Sequence, residues 1–218
     1  MDPNDVAQFL RSNPQFFDQH PQLLDAIVVP HPHGGRAIPL TERQIASLRE
    51  KVRLLEAKLG EFLRFGEDND AIAEKVHRLS LALLGAKDFA STAQALYFHL
   101  REDLAVPHVA LRIWGKSLDD GVPEGAPVDG ALRDKAETMG APQCGAAAGS
   151  PFVTLFRDAQ DHIRSIALIP LGQTRTIGLL ALGSEDPQRF YAEMGTLYLR
   201  RIGELAAGAL AARALQVR

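Results

Sequence analysis

Residues 165–172 read SIALIPLG and residues 177–190 read IGLLALGSEDPQRF, and these two stretches decide the fold. Each lies in a nearly unbroken apolar run, Ile163 to Leu171 and Thr176 to Leu182, as central strands covered on both faces require. The residues between them, Gly172-Gln173-Thr174-Arg175, suit a hairpin turn. Gly183-Ser184-Glu185-Asp186-Pro187 then reads as an acidic turn that caps a closing helix. From Phe190 onward Met194, Leu197, Ile202, Leu205 and Ala209 draw an apolar stripe on that helix.

Upstream, Val106 to Trp114 alternates as a strand does. Val109, Leu111 and Ile113 share one face; Ala110, Arg112 and Trp114 share the other. Asp88 or Ser91 is placed to cap a helix running to Leu104. The Gly-, Pro- and Asp-rich stretch 115–130 reads as turns, Ala131 to Met139 as a short helix and 140–151 as a small-residue loop. Phe152 to Phe156 is a short apolar element of open type. Residues 86–218 therefore read as one α+β domain.

Residues 40–85 read as a long helix. Thr41 and Gln44 form a capping box, and Leu40 and Ile45 occupy the positions of a hydrophobic staple. Ile45, Leu48, Val52, Leu55, Leu59 and Phe62 recur at alternating spacings of three and four, a heptad seam. With Ile45 at position a, Lys51 falls at g and Glu56 at the next e, which approach each other across a parallel dimer. Exposed pairs of this kind add only about 0.2–1 kcal/mol, so they orient more than they stabilise. Gly66 and Asn69 interrupt the seam; Ile72, Val76, Leu79 and Leu83 resume it in a shifted phase. A helix packed along its own domain would show much the same pattern.

Residues 1–39 form a third segment. Asp2-Pro3, Asn13-Pro14 and His20-Pro21 each place a polar residue before a proline, the grammar of a helix start. Val6, Phe9, Leu10, Phe16, Phe17, Leu23, Leu24 and Ile27 suit a cluster of short helices, too small to stand alone and so expected to pack on another part of the protein or on a partner. The prolines and glycines of 28–40 read as an extended linker.

The bulk numbers are those of a soluble globular chain: 218 residues, 46% hydrophobic, 23% charged, formal charge −3. A pI near 6.2 gives no electrostatic footprint for nucleic acid. No apolar run approaches the roughly 18 residues that span a bilayer, and the start lacks a signal-peptide pattern, so the cytoplasm is the simplest location.

Several motifs together carry a family resemblance: NPQFFDQHPQLL (13–24), the VPHP turn, LTERQIASLRE (40–50), Cys144-Gly145, ALIPLG, GLLALGSEDPQRF and MGTLYL. The chain resembles the bacterial proteins grouped as domain of unknown function 484, a GAF-like family, over nearly its whole length. The resemblance implies a GAF-like antiparallel sheet with flanking helices, preceded by a long helix. It also implies a ligand-binding or dimerising regulatory module, an expectation from fold alone.

No catalytic constellation stands out. There is no phosphate loop and no Gly-x-Ser-x-Gly elbow, and Ser184 belongs to a turn. His31 and His33 flank Pro32, but two ligands are not a metal site; none is expected, and no cofactor is indicated. Cys144 is the only cysteine, so thiol redox chemistry would need a thiol from elsewhere. In a GAF-like sheet one face packs on the terminal helices and the other floors a pocket. Arg112 and Trp114 fall on the pocket side, with Phe156, Arg164 and Cys144 as further candidates; a guanidinium beside an indole suits an anionic or planar ligand. Arg112 solvated at an edge, with Trp114 plugging the domain's own core, reads the same residues equally well. The asparagine-lysine-phenylalanine-aspartate-glutamate signature of cyclic-nucleotide GAF domains is absent.

The expectation is therefore a non-enzymatic cytoplasmic regulatory protein, homodimeric through the seam helix, with its output a protein contact at the N-terminal helices. A ligand-free scaffold is the alternative, and a thiol-dependent enzyme built on Cys144 a lesser one.

Overall fold

A computed structural model of the chain describes residues 2–29, 38–114, 122–172 and 175–214. Contacts gather these into two units, Met1–Glu67 and Asp68–Arg218, with the boundary inside one long helix.

In the first unit, α1 (Pro3–Ser12) starts from a capping box: the Asp2 carboxylate accepts from the helix N-terminus, and Asp5 accepts the Asp2 N–H in return. The two later starts differ from expectation. Asn13 closes α1 instead of opening the next helix, its Nδ2 donating to the Phe9 carbonyl at 2.9 Å. The next helix, α2 (Phe16–Gln19), begins after Gln15, and α3 (Gln22–Ala26) has Pro21 at its N-cap. The aromatic rings meet edge to face, Phe9 on Phe16 with centroids 5.9 Å apart and Phe16 on Phe17 at 5.5 Å, yet no α1 or α2 residue is fully buried.

The segment read as a linker contains a two-stranded antiparallel ladder, β1 (Val28–Val29) with β2 (Ile38–Pro39). The proline at 39 is tolerated because a two-stranded ladder has edges on both sides. His31 and His33 lie outside the described residues, as do the side chains of the staple and cap at Leu40 and Thr41.

The long helix, α4 (Leu40–Gly85), runs through Gly66 and Asn69 without a break. Its last turns enter the second unit's core through Val76, Leu79 and Leu83. There α5 (Phe89–Phe98) is capped by both residues expected of it: Asp88 accepts the Ser91 N–H at 2.8 Å, and Ser91 Oγ accepts the Asp88 N–H at 3.1 Å. It continues as a π-helical turn, His99–Asp103, in which His99 Nδ1 lies 2.6 Å from Asp103 Oδ2.

The sheet orders as β3-β6-β5-β4, antiparallel throughout, with β3 (His108–Ile113), β4 (Gln143–Ala146), β5 (Ser165–Leu171) and β6 (Gly178–Ser184). This is the α+β architecture expected: a mixed fold with one antiparallel sheet and flanking helices. The centre of the tight turn between β5 and β6, residues 173 and 174, lies outside the described residues. Strand β4 falls where a loop was expected. Its small residues have low strand propensity, but pairing along β5 from Gln143↔Leu168 to Ala146↔Ser165 supplies the ladder.

On one face Val109, Leu111, Ile113, Ala167, Ile169, Leu180 and Leu182 meet α4, α5 and the closing helix α7 (Leu197–Ala214). On the other, Ala110, Ile166, Leu168, Leu179 and Ala181 meet α6 (Gly130–Thr138) and a 3-10 segment, Pro151–Ala159. Two glycines set these distances: a Cβ on Gly178 would stand 2.4 Å from the Arg112 carbonyl oxygen, and one on Gly203 2.5 Å from Ile169 Cγ2.

Helix α7 begins seven residues later than expected. The acidic turn caps itself, Asp186 Oδ1 accepting the Gln188 N–H at 2.9 Å, and a further turn follows at Tyr191–Met194. The buried stripe is accordingly Leu199, Ile202, Ala206, Ala209 and Leu210, while Leu197 is exposed.

Candidate functional site

Strand β3 is an edge strand. The Trp114 N–H donates to the Ile177 carbonyl, so even-numbered residues bond inward to β6 and the amides of Val109, Leu111 and Ile113 face outward. Free edges invite pairing and are usually covered. Here side chains do the covering. Arg112 Nη1 donates to the outward Leu111 carbonyl at 2.7 Å. The Tyr97 hydroxyl donates to Glu124 Oε1 at 3.0 Å. Burial, aided by the Glu124 charge, pushes the Tyr97 hydroxyl up to about 12, so the phenol keeps its proton.

Arg112 is itself only 9% exposed, a buried residue. Among the described residues no carboxylate lies within 4 Å of it. Burial pulls its proton affinity down, the nearby Arg157 charge pulls it down further, and the Glu124 charge opposes both in part. Every fully buried side-chain nitrogen or oxygen among the described residues has a partner, so the donors Arg112 leaves unused open into a cavity.

That cavity, of about 250 Å³, is bounded by β3, the π-helical turn and the 3-10 segment, with Tyr97, Arg101, His108, Arg112, Phe156 and Arg157 among its walls. Arg101 stands over the Tyr97 ring, 5.3 Å from its centroid. Arg157 holds φ 50° and ψ −120°, a backbone conformation that costs a non-glycine residue about 1–3 kcal/mol. His108 Nε2 lies 3.6 Å from Glu185, an exposed carboxylate.

Of the five ligand-site candidates, the structure brings Arg112 and Phe156 together. Trp114 lies on the same sheet face as Arg112 but away from the cavity: its Nε1 donates to Glu137 Oε1 at 3.0 Å, and Arg133 Nε donates to the same oxygen at 2.7 Å. Arg164 is exposed, its Nη1 donating to the Asp161 carbonyl at 2.9 Å. Cys144 pairs with Ala167 in β5 and packs on the helix side of the sheet, opposite Arg112.

Sequence reading missed His108, Tyr97, Arg101 and Arg157. For His108 the signal was present: it alternates with Arg112 along β3. Nothing local marks Arg157, because its placement follows from a kink in a 3-10 segment.

A larger cavity, about 420 Å³, carries both signs of charge, Glu137 and Glu204 against Arg175 and Arg200. Among the described residues no group of three or more His, Cys, Asp or Glu is placed to hold a metal. No described helix is long and apolar enough to cross a membrane.

Burial raises the Cys144 thiol above its ordinary value, so it remains protonated at neutral pH. Alkylation of the native chain by iodoacetamide at pH 7 should therefore run at least tenfold slower than in urea; equal rates would show an exposed thiolate.

Two kinds of comparison extend the picture. The family model described as "Protein of unknown function, DUF484" matches residues 1–213. Relatives include the uncharacterized protein YigA of Salmonella typhimurium strain LT2, 22% identical over 209 residues, covering 93% of this chain and 88% of that one. YigA of Escherichia coli K12 is 22% identical over 208 residues at the same coverages.

Among solved structures, the GAF domain of a putative sensor histidine kinase from Pseudomonas syringae pv. tomato overlaps with TM-score 0.46 at 18% identity, covering 70% of this chain and 93% of that one. The A. aeolicus nlh2 GAF domain, in an inactive state, gives 0.48 at 15%, covering 66% and 98%. A free methionine-R-sulfoxide reductase from Neisseria meningitidis, in complex with its substrate, gives 0.45 at 20%, covering 67% and 92%. At these scores the overlaps support no statement about ligand or reaction.

Proposed function

The chain belongs to the DUF484 family, and we propose that it is a non-enzymatic regulatory module of the bacterial cytoplasm. A small-molecule-binding domain over 86–218 is joined through α4 to a dimer seam, and the N-terminal helices contact a protein partner.

The observation that carries this reading is the divided fate of α4. Its C-terminal turns bury Val76, Leu79 and Leu83 in the domain core, while Ile45, Leu48, Val52, Leu55, Leu59 and Phe62 remain between 44% and 69% exposed. Six large apolar side chains at heptad spacing are a surface that water disfavours. A second copy of the helix covers them in register, with Lys51 of one chain approaching Glu56 of the other. The helix then ties whatever the domain binds to the association state. The N-terminal helices, with Phe9 52% and Val6 39% exposed, suit an apolar partner surface in the same way.

Two observations weigh against the other readings. A ligand-free scaffold would have its cavity filled by its own side chains; Trp114 does pack on the sheet's own core, as that reading holds, but it does not line the cavity beside Arg112. A thiol enzyme would need Cys144 at that cavity, and Cys144 faces the helices.

The test is a thermal shift of the full chain against a metabolite library. A binding domain gains stability in proportion to ligand concentration over Kd, about 2.7 kcal/mol at a hundredfold excess over Kd. At least one small molecule is expected to raise Tm by several degrees. A flat response across neutral, cationic and anionic compounds would favour the scaffold.

A further inference from the structure

We infer that the cavity beside the outer edge of β3 binds a small oxyanion, a carboxylate or a phosphate, carried on an apolar or aromatic body. The inference rests on reading the domain as a binding module and names the ligand class of its pocket.

Charge is the first argument. Arg101, Arg112 and Arg157 line one cavity, and none of the described residues that line it is a carboxylate. Glu124, a buried acid, is engaged by the Tyr97 hydroxyl. Burial of Arg112 is costly with no carboxylate within 4 Å of it among the described residues; the Glu124 charge offsets part of that cost, and the second guanidinium, Arg157, adds repulsion. An oxyanion seated between Arg112 and Arg157 relieves both and is recognised by the planar forks of two arginines.

Preorganisation is the second. Arg112 is fixed by its bond to the Leu111 carbonyl, so its free donors have a set direction. The side chain therefore has little further freedom to lose on binding.

Backbone irregularity is the third. Arg101 comes from a π-helical turn and Arg157 from a residue at positive φ. Such departures from regular geometry gather at functional positions. Here two of them deliver cations to the same space.

The remaining wall sets the body of the ligand. Ala110, Leu155 and Phe156 form an apolar side, with the Phe156 and His108 rings edge to face at 6.5 Å. A volume of about 250 Å³ lies just under the roughly 300–1,000 Å³ of drug-sized sites, which suits one charged group on a small body.

The experiment is calorimetric titration of the full chain with benzoate, phenyl phosphate, inorganic phosphate and phenol. One aromatic anion is expected to bind at one site per chain, and which of the two does so identifies the oxyanion. Phenol and inorganic phosphate should each bind at least tenfold more weakly. Arg157→Gln changes an exposed side chain and should weaken the anion at least tenfold, as should Arg112→Gln where circular dichroism shows it folded. Arg164→Gln, outside the cavity, should leave affinity unchanged. No heat with either aromatic anion at millimolar concentration overturns the inference, as does affinity indifferent to Arg157→Gln. Inorganic phosphate binding as tightly as phenyl phosphate overturns the apolar body. A library hit confined to neutral or cationic compounds overturns the anion pocket but leaves the regulatory reading standing; silence across the library removes both.

Discussion

The double substitution Leu48→Lys and Leu55→Lys is expected to leave the protein a folded monomer of 23.7 kDa at concentrations where the unaltered chain is expected to sediment as a dimer. Both side chains are more than half exposed in the single chain, 60% and 64%, so the monomer loses almost nothing by the change. In the proposed dimer both sit at d positions, the centre of the seam. Truncating one well-buried leucine costs about 2–5 kcal/mol, and a lysine there adds an unpaired charge. Each such step weakens association at least about thirtyfold. The signature is dissociation without loss of helix. A matching control is Leu54→Lys, at position c of the same helix and 56% exposed, where no change of mass is expected. Should the double variant keep the dimer, the interface lies elsewhere in the chain.

The second large effect belongs to the core. Leu180→Ala is expected to lower the stability of the second unit by about 2–5 kcal/mol. Leu180 is fully buried in β6, paired with Leu111 on one side and Ile169 on the other, and it faces the helices. Truncation leaves a void among β3, β5 and the helices that regular pairing prevents from closing. At about 2–4 °C for each kcal/mol in a protein of this size, the loss reads as a drop of several degrees in Tm. A shift within 1 °C would mean that the strands are not packed as described.

Legibility from sequence followed burial. The strands β5 and β6 were visible because both faces are covered and the apolar run is unbroken. The faces of β3 were visible because alternation survives on an edge strand. Asp88 and Ser91 were visible as caps because capping is local chemistry. The elements that failed to show depend on distant partners. Strand β4 is Gln-Cys-Gly-Ala, a poor strand sequence that exists because β5 offers it a ladder. Helix α7 starts late because Asp186 spends its side chain on a turn, not on the helix. Asn13 serves the end of α1 because its amide reaches the Phe9 carbonyl behind it, a direction that an Asn-Pro pair does not reveal.

The site was half legible for a related reason. Arg112 was found because strand alternation places it away from the helices. Cys144 and Arg164 were grouped with it by proximity in sequence to the pocket-forming strands, and register separates them. Cys144 falls on the helix face, and Arg164 is turned back onto the Asp161 carbonyl. Arg157 and Arg101 come from the two irregular backbone segments, for which no periodicity exists to be read.

In the proposed function, α4 links a binding core to self-association. Sedimentation equilibrium of the unaltered 23.7 kDa chain, run from low to high micromolar concentration, puts that to the sharpest trial. A species of twice that mass should dominate the upper range. A single-chain mass at every concentration would contradict it, leaving the apolar row from Ile45 to Phe62 without its partner.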